Sequence, residues 1–139
     1  ARQHIRQPPA SRDRLGKGTP ALVAAHRAAY AHAQALAVAG QFTHAWPATG
    51  RIFGSWIRNF YSLRGFRFWS AGENLLWAPP GFTPASALQQ WLASPIHRRV
   101  MLTPSWRELG IGVVTATAAP GAYGGRDVHI AAAESGKRS

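Results

Sequence analysis

Apolar residues recur at helical spacing between Ala21 and Ala39, at Leu22, Ala25, Ala29, Ala33, Leu36 and Ala37, and Gly40 supplies a stop. The small residues on that face predict a helix packed closely on a neighbour. A second stripe, Ile52, Phe53, Trp56, Ile57, Phe60 and Tyr61, lies opposite Arg51, Ser55, Arg58, Asn59 and Ser62, which predicts an amphipathic helix over Arg51 to Leu63. Gly54 inside it costs about 1 kcal/mol relative to Ala. Basic aromatic helices can lie on membranes, but burial of this stripe in a core is the favoured reading. Phe66 to Ser70 alternates weakly, as a short strand would. Thr83-Pro84 reads as the N-cap and first position of a helix carrying Leu88, Trp91 and Leu92; Ser94-Pro95 breaks it, and a short turn follows from His97 to Met101. Leu109, Ile111 and Val113 alternate with Gly110, Gly112 and Val114. Val128 and Ile130 resume the period after Pro120-Gly121 and Gly124-Gly125, the pattern of a hairpin. Helices first and antiparallel strands last, with another helix interleaved, give an α+β class rather than a doubly wound parallel sheet.

Residues 1–20 show no apolar period and mix Pro8-Pro9, Gly16 and Gly18 with charge, so they read as an irregular basic arm. A single domain is expected over 21–135, and a short tail over 136–139. The 139 residues are 46% hydrophobic, with six Trp, which places the chain among folded proteins rather than basic disordered tails. The absence of Cys excludes disulfides and thiolate metal clusters. No apolar run is long enough to cross a bilayer. No signal-peptide layout is visible, although the chain begins at Ala rather than Met and a leader could precede it. Sixteen Lys and Arg against five Asp and Glu give a net charge of +11, suited to an anionic cell-envelope component, a nucleic acid or a membrane surface. Plain solubility is the competing account.

The scarce acids restrict chemistry to Asp13, Glu73, Glu108, Asp127 and Glu134. Common enzyme signatures fail on inspection. Gly16-Lys17-Gly18-Thr19 lacks the Ser or Thr and the leading Gly of a phosphate loop. Phe68 stands where a nucleophile elbow around Ser70 needs Gly, and no His-Glu-x-x-His occurs.

What remains is a set of short motifs: Phe42-Thr43-His44, Gly72-Glu73-Asn74-Leu75, Trp91-Leu92-Ala93-Ser94-Pro95-Ile96-His97-Arg98, and Leu109-Gly110-Ile111-Gly112. Together, with Ala29, His32, Ala33, Leu36 and Ala37 preceding them, they resemble the CAP superfamily of cysteine-rich secretory proteins, antigen 5 and pathogenesis-related 1 proteins, also called SCP domains. The absence of Cys resembles the family's bacterial-type branch. The resemblance implies a three-layer α-β-α sandwich with a central, mainly antiparallel sheet, secreted or held at the cell envelope. It implies a cavity lined by His44, Glu73 and His97, with Ser94 where other members carry a second Glu. In some members the His pair binds a divalent metal, so His44 and His97 are candidate ligands of an ion such as zinc, with Glu73 as a ligand or an outer partner. A buried His and Glu set can equally be structural, because one carboxylate satisfies two imidazole donors. His4, His26, His32 and His129 read as surface or packing residues, Glu108 as solvent-facing beside Arg107, and Asn74 as a partner of backbone groups.

Three functions follow. The leading one is a non-catalytic ligand-binding module of CAP type for a small apolar or lipid-like molecule. Trp77 and Phe82, flanking Pro79-Pro80-Gly81 in an expected loop, are its candidate contacts. The second is a metal-assisted hydrolase of peptide or cell-envelope material, which requires the His44 and His97 rings to converge. The third is an anionic-polymer binder using Arg64-Gly65-Phe66-Arg67-Phe68-Trp69; the absence of any recognised nucleic-acid motif weighs against nucleic acid itself. Catalysis stays open on sequence grounds, with the balance against it.

Overall fold

The computed structural model describes residues 20–61 and 65–139. The expected basic arm, up to residue 19, and residues 62–64 at the end of the expected second helix lie outside the described residues. The first helix, α1 (Pro20–Ala39), follows the predicted span and ends at Gly40, whose φ of 65° is the left-handed geometry that closes helices. Its Ala28, Ala29, Ala33 and Leu36 are fully buried. The second helix, α2 (Phe53–Ile57), is much shorter than the aromatic stripe suggests. The stripe is nonetheless largely buried, because Trp56, Ile57 and Tyr61 pack on Ala24 and Ala28 through a short helix and the turns after it. Ile52 precedes α2 and is 72% exposed.

Among the described residues the sheet has three antiparallel strands in the order β1 (Trp69–Ala78), β3 (Arg126–Arg138), β2 (Glu108–Ala119). Two further helices, α3 (Pro84–Ala93) and α4 (Pro95–Met101), sit between β1 and β2 in the chain. Thr83 caps α3 as expected, its hydroxyl accepting from the Ser86 N–H at 3.1 Å. Strand β1 corrects the expected short strand at 66–70. The Gly-Glu-Asn-Leu motif lies inside it, and its polar residues on both faces hide the period of two that marks a half-buried strand. Trp77, placed by its Pro neighbours in a loop, is also in β1. The expected tail at 136–139 is sheet as well: β3 continues to Arg138, and Ser139 exchanges backbone hydrogen bonds with Phe68 at 2.7 and 2.9 Å.

Alternation along the strands separates two faces. Gly110, Gly112, Val114, Ile130, Ala132, Glu73 and Leu75 face α1. An ideal Cβ on Gly112 would lie 2.3 Å from the Tyr30 backbone nitrogen, and one on Gly110 would lie 2.1 Å from the Ala25 carbonyl carbon. The helix backbone therefore rests directly on β2, which explains both the Ala-rich helix face and the x-Gly-x-Gly strand. On the other face, Trp91 of α3 donates its indole N–H to the Leu75 carbonyl at 3.1 Å, and Asn74 donates its side-chain amide to the His97 carbonyl at 3.0 Å. The result is an α+β fold with helices on both sides of an antiparallel sheet. Glu108 is not solvent-facing: it pairs with Arg138 at 3.3 Å in a largely buried contact.

Candidate functional site

Glu73 leaves β1 on the α1 face and is nearly inaccessible. Its Oε1 bonds His44 Nδ1 at 2.8 Å, and its Oε2 bonds His32 Nδ1 at 2.5 Å. His44 sits in the loop after α1, held there because its carbonyl accepts the Trp56 indole N–H at 2.8 Å. The His44 side chain is 59% exposed, whereas those of His32 and Glu73 are 0% and 1%. The His32 ring packs against Trp56 and Trp46, with centroids 4.4 and 5.7 Å away in a cluster of three mutually contacting rings, and its Nε2 faces the Ala45 carbonyl at 3.1 Å.

The fourth member is Glu134, directly opposite Glu73 in the register of β1 and β3 and 3% exposed. No N–H or O–H of another described residue reaches either of its oxygens, and the neighbour it faces is the Glu73 carboxyl. Burial, and then the neighbouring Glu73 carboxyl, push its carboxyl well above the usual range. Burial pushes Glu73 in the same direction. The adjoining Glu134 carboxyl and the bonds from His32 and His44 outweigh it and hold Glu73 below its ordinary value. The Glu73 hydrogen bond raises His44, against the lowering effect of partial burial.

His32, expected to be a surface or packing residue, is buried but is also a member of this group. A signal was available in its place on the small-residue helix face, one turn from Ala29 and Leu36. Glu134 carries no local motif, and only strand register brings it to Glu73. His97 has a different hydrogen-bond partner. Its Nδ1 bonds the Ser94 hydroxyl at 2.8 Å, across the break between α3 and α4, and no hydrogen bond links it to His44 or Glu73 among the described residues. Asn74 has the backbone partner expected for it, on α4 rather than next in the chain. Among the described residues, the His, Asp and Glu side chains whose ligand atoms lie within 4.8 Å of one another are His32, Glu73 and Glu134. This buried His/Glu/Glu group could hold a metal ion.

The sheet's other face carries an apolar groove. One cavity of about 680 Å³ is lined by Leu88, Trp91, Met101, Trp106, Leu109 and Ile111 among others. A second of about 280 Å³ adjoins it through Trp91 and Ile111 and includes Phe82 and Val113. Trp77 faces the opposite way, edge-on to Tyr123 at 5.4 Å with Arg126 over its ring.

The sequence over residues 14–124 matches the family model described as CAP, the cysteine-rich secretory protein family. The chain belongs to the CAP family. Its fold is similar to that of an outer surface protein from Borrelia burgdorferi, with a TM-score of 0.64 at 19% identity over 84% of this chain and 75% of that one. It is also similar to an extracellular protein containing a SCP domain from Bacillus anthracis, with a TM-score of 0.53 at 24% identity; 78% of this chain is covered and 30% of the Bacillus chain. No curated protein matches in sequence. The CAP match ends before β3, so Glu134 lies beyond the residues that define the family here. No helix among the described residues is long and apolar enough to cross a membrane.

Proposed function

We propose that this CAP domain is a non-catalytic module that binds a small apolar or lipid-like ligand outside the cell or at its envelope. The observation that carries the reading is the groove on the α3 side of the sheet. There Leu109, Ile111 and Val113 of β2 remain 46–49% exposed beside Trp91 and Trp106. A row of exposed strand residues next to a cavity of this size suits an alkyl chain or a fused-ring lipid, at about 0.8 kcal/mol per buried CH₂. Phe82 lines the groove and remains a candidate contact, whereas Trp77, packed on Tyr123, has less support. Extracellular or envelope placement rests on the names of the two structural neighbours and on the +11 charge.

The hydrolase reading has less support. The bonding of His44 and His97 to different partners does not favour one shared ion. His97 and Ser94 form a pair, but no carboxylate orients the ring among the described residues. The test is titration with a fluorescent fatty acid such as dansyl-undecanoic acid, read by energy transfer from Trp91 and Trp106. Ile111→Glu should weaken binding about tenfold or more, since it places a charge against the buried chain. Absence of energy transfer in the wild type, or equal affinity in the variant, would reject the reading.

A further inference from the structure

We propose that His32, Glu73 and Glu134 form an enclosed site for a divalent transition-metal ion of the zinc class, separate from the His44 and His97 position that the family resemblance suggests. The argument begins with donors and acceptors. The Ala45 carbonyl can only accept, so His32 Nε2 carries a proton, and the one proton between Nδ1 and Glu73 Oε2 is what an incoming cation would displace to make Nδ1 a ligand. An imidazole whose far N–H donates to a backbone carbonyl is in the orientation that metal-ligating histidines adopt. Packing against Trp46 and Trp56 holds the ring there.

Glu134 supplies the second, independent observation. It is 3% exposed and lies across from Glu73. One imidazole nitrogen and two carboxyl groups thus converge, and no N–H or O–H of any other described residue reaches Glu134. Only bound protons or a cation can fill such a space. The ligand atoms lie within 4.8 Å of one another, and an ion with bonds of about 2.0–2.2 Å reaches all three after small side-chain rotations.

Charge and ligand type select the ion. Two carboxylates and a neutral imidazole carry −2, which a divalent cation cancels in a buried setting where an uncompensated charge is costly. Calcium would need six to eight oxygen ligands, and magnesium keeps several waters, so neither suits a closed site with one nitrogen. Zinc or cobalt does. His44, bonded to the far oxygen of Glu73 and 59% exposed, fixes the carboxylate's orientation and marks the route in from solvent. The site lies on the opposite sheet face from the apolar groove and does not rest on the ligand reading above.

The test strips the purified chain with a chelator and titrates it with Zn²⁺ by calorimetry, and with Co²⁺ by visible absorption, where tetrahedral nitrogen and oxygen ligation gives a distinct spectrum. The expected result is one ion per chain. Glu134→Gln, close in shape to the protonated residue, should weaken binding about 100-fold or more, beyond what loss of an outer-shell partner costs. His97→Ala should leave affinity unchanged. Circular dichroism checks that each variant is folded, and His32→Gln provides a second ligand removal should Glu134→Gln fail that check. The proposal is overturned if the wild type binds neither ion, in which case protons alone fill the cluster. It is equally overturned if His97→Ala abolishes binding while folded Glu134→Gln or His32→Gln retains it.

Discussion

Replacing Gly112 by Ala tests whether the contact between α1 and β2 positions the site. The added Cβ would sit 2.3 Å from the Tyr30 nitrogen and 2.6 Å from the Ala29 carbonyl carbon, where ordinary contact begins near 3.4 Å. The obstacle is helix backbone, so no rotamer change relieves it, and α1 must retreat by about 1 Å. A gap of about 0.5–1 Å forfeits a quarter to a half of the dispersion energy of each contact it opens. Ala29, Ala33 and Leu36, all fully buried, lie along that seam. The expected cost is at the upper end of the range for overpacking, about 3 kcal/mol. For a domain of this size it lowers Tm by roughly 12 °C. His32 rides on the same helix, so its bond to Glu73 should lengthen and zinc affinity should fall with stability. The control is Gly54→Ala in α2, where a Cβ meets nothing within 4 Å and helix propensity predicts a gain of about 0.5–1 kcal/mol. Thermal unfolding followed by circular dichroism measures both. A Gly112→Ala protein that melts with the wild type would refute the close-packing argument.

Glu134 is an acid with a raised folded-state value, so the folded chain holds a proton that the unfolded chain has released. Stability should therefore fall as pH rises above 4.5. In urea unfolding with chelator present, Glu134→Gln should gain on the wild type as pH rises above 4.5; parallel profiles would count against a raised Glu134. Glu73 has the opposite sign: its lowered value contributes stability above pH 4.5 that is lost as pH falls through the folded value, so the cost of Glu73→Gln should shrink in acid. Phe82→Ala should weaken fatty-acid binding and leave Tm within a few degrees, since Phe82 is a half-buried loop residue. Trp91→Ala should cost about 3–5 kcal/mol, because it empties a buried site and leaves the Leu75 carbonyl without its indole donor.

The helices are largely legible in the sequence because their signals are local. The Ala stripe with its Gly40 stop, and the Thr83-Pro84 cap, each declare an element within a few residues. Gly110 and Gly112 are visible as a motif, but their reason, the helix backbone pressed on the strand, exists only in the folded chain. Strand β1 is misplaced by pattern because Glu73 and Asn74 are buried polar residues on opposite faces, and a periodicity search assigns both to solvent. Half of the site follows from the family motifs that carry His44 and Glu73. His32 reads as packing until its partner across the layer is known. Glu134 is found only through the register of a strand that begins fifty-three residues after Glu73. The expected pairing of His44 with His97 comes from resemblance alone; the bond from His97 Nδ1 to the Ser94 hydroxyl has no counterpart in that expectation.

The two proposals share strands without sharing side chains, and the period of two explains why. Glu73 points to α1 while Asn74, the next residue, holds α4; Glu134 points to Glu73 while Ala133 and Ser135 on either side line the apolar groove. Exposed groove positions such as Ile111 can change with little effect on the buried His and Glu group, because the intervening sheet is held by its own ladder. Changes in the strand backbone act on both faces at once. An ion that drew Glu73 and Glu134 together would tighten the pairing of β1 with β3, and with it the wall formed by Ala133 and Ser135. Zinc should therefore raise Tm in the wild type by more than it alters fatty-acid affinity, since the groove also depends on α3 and β2, which the ion does not touch.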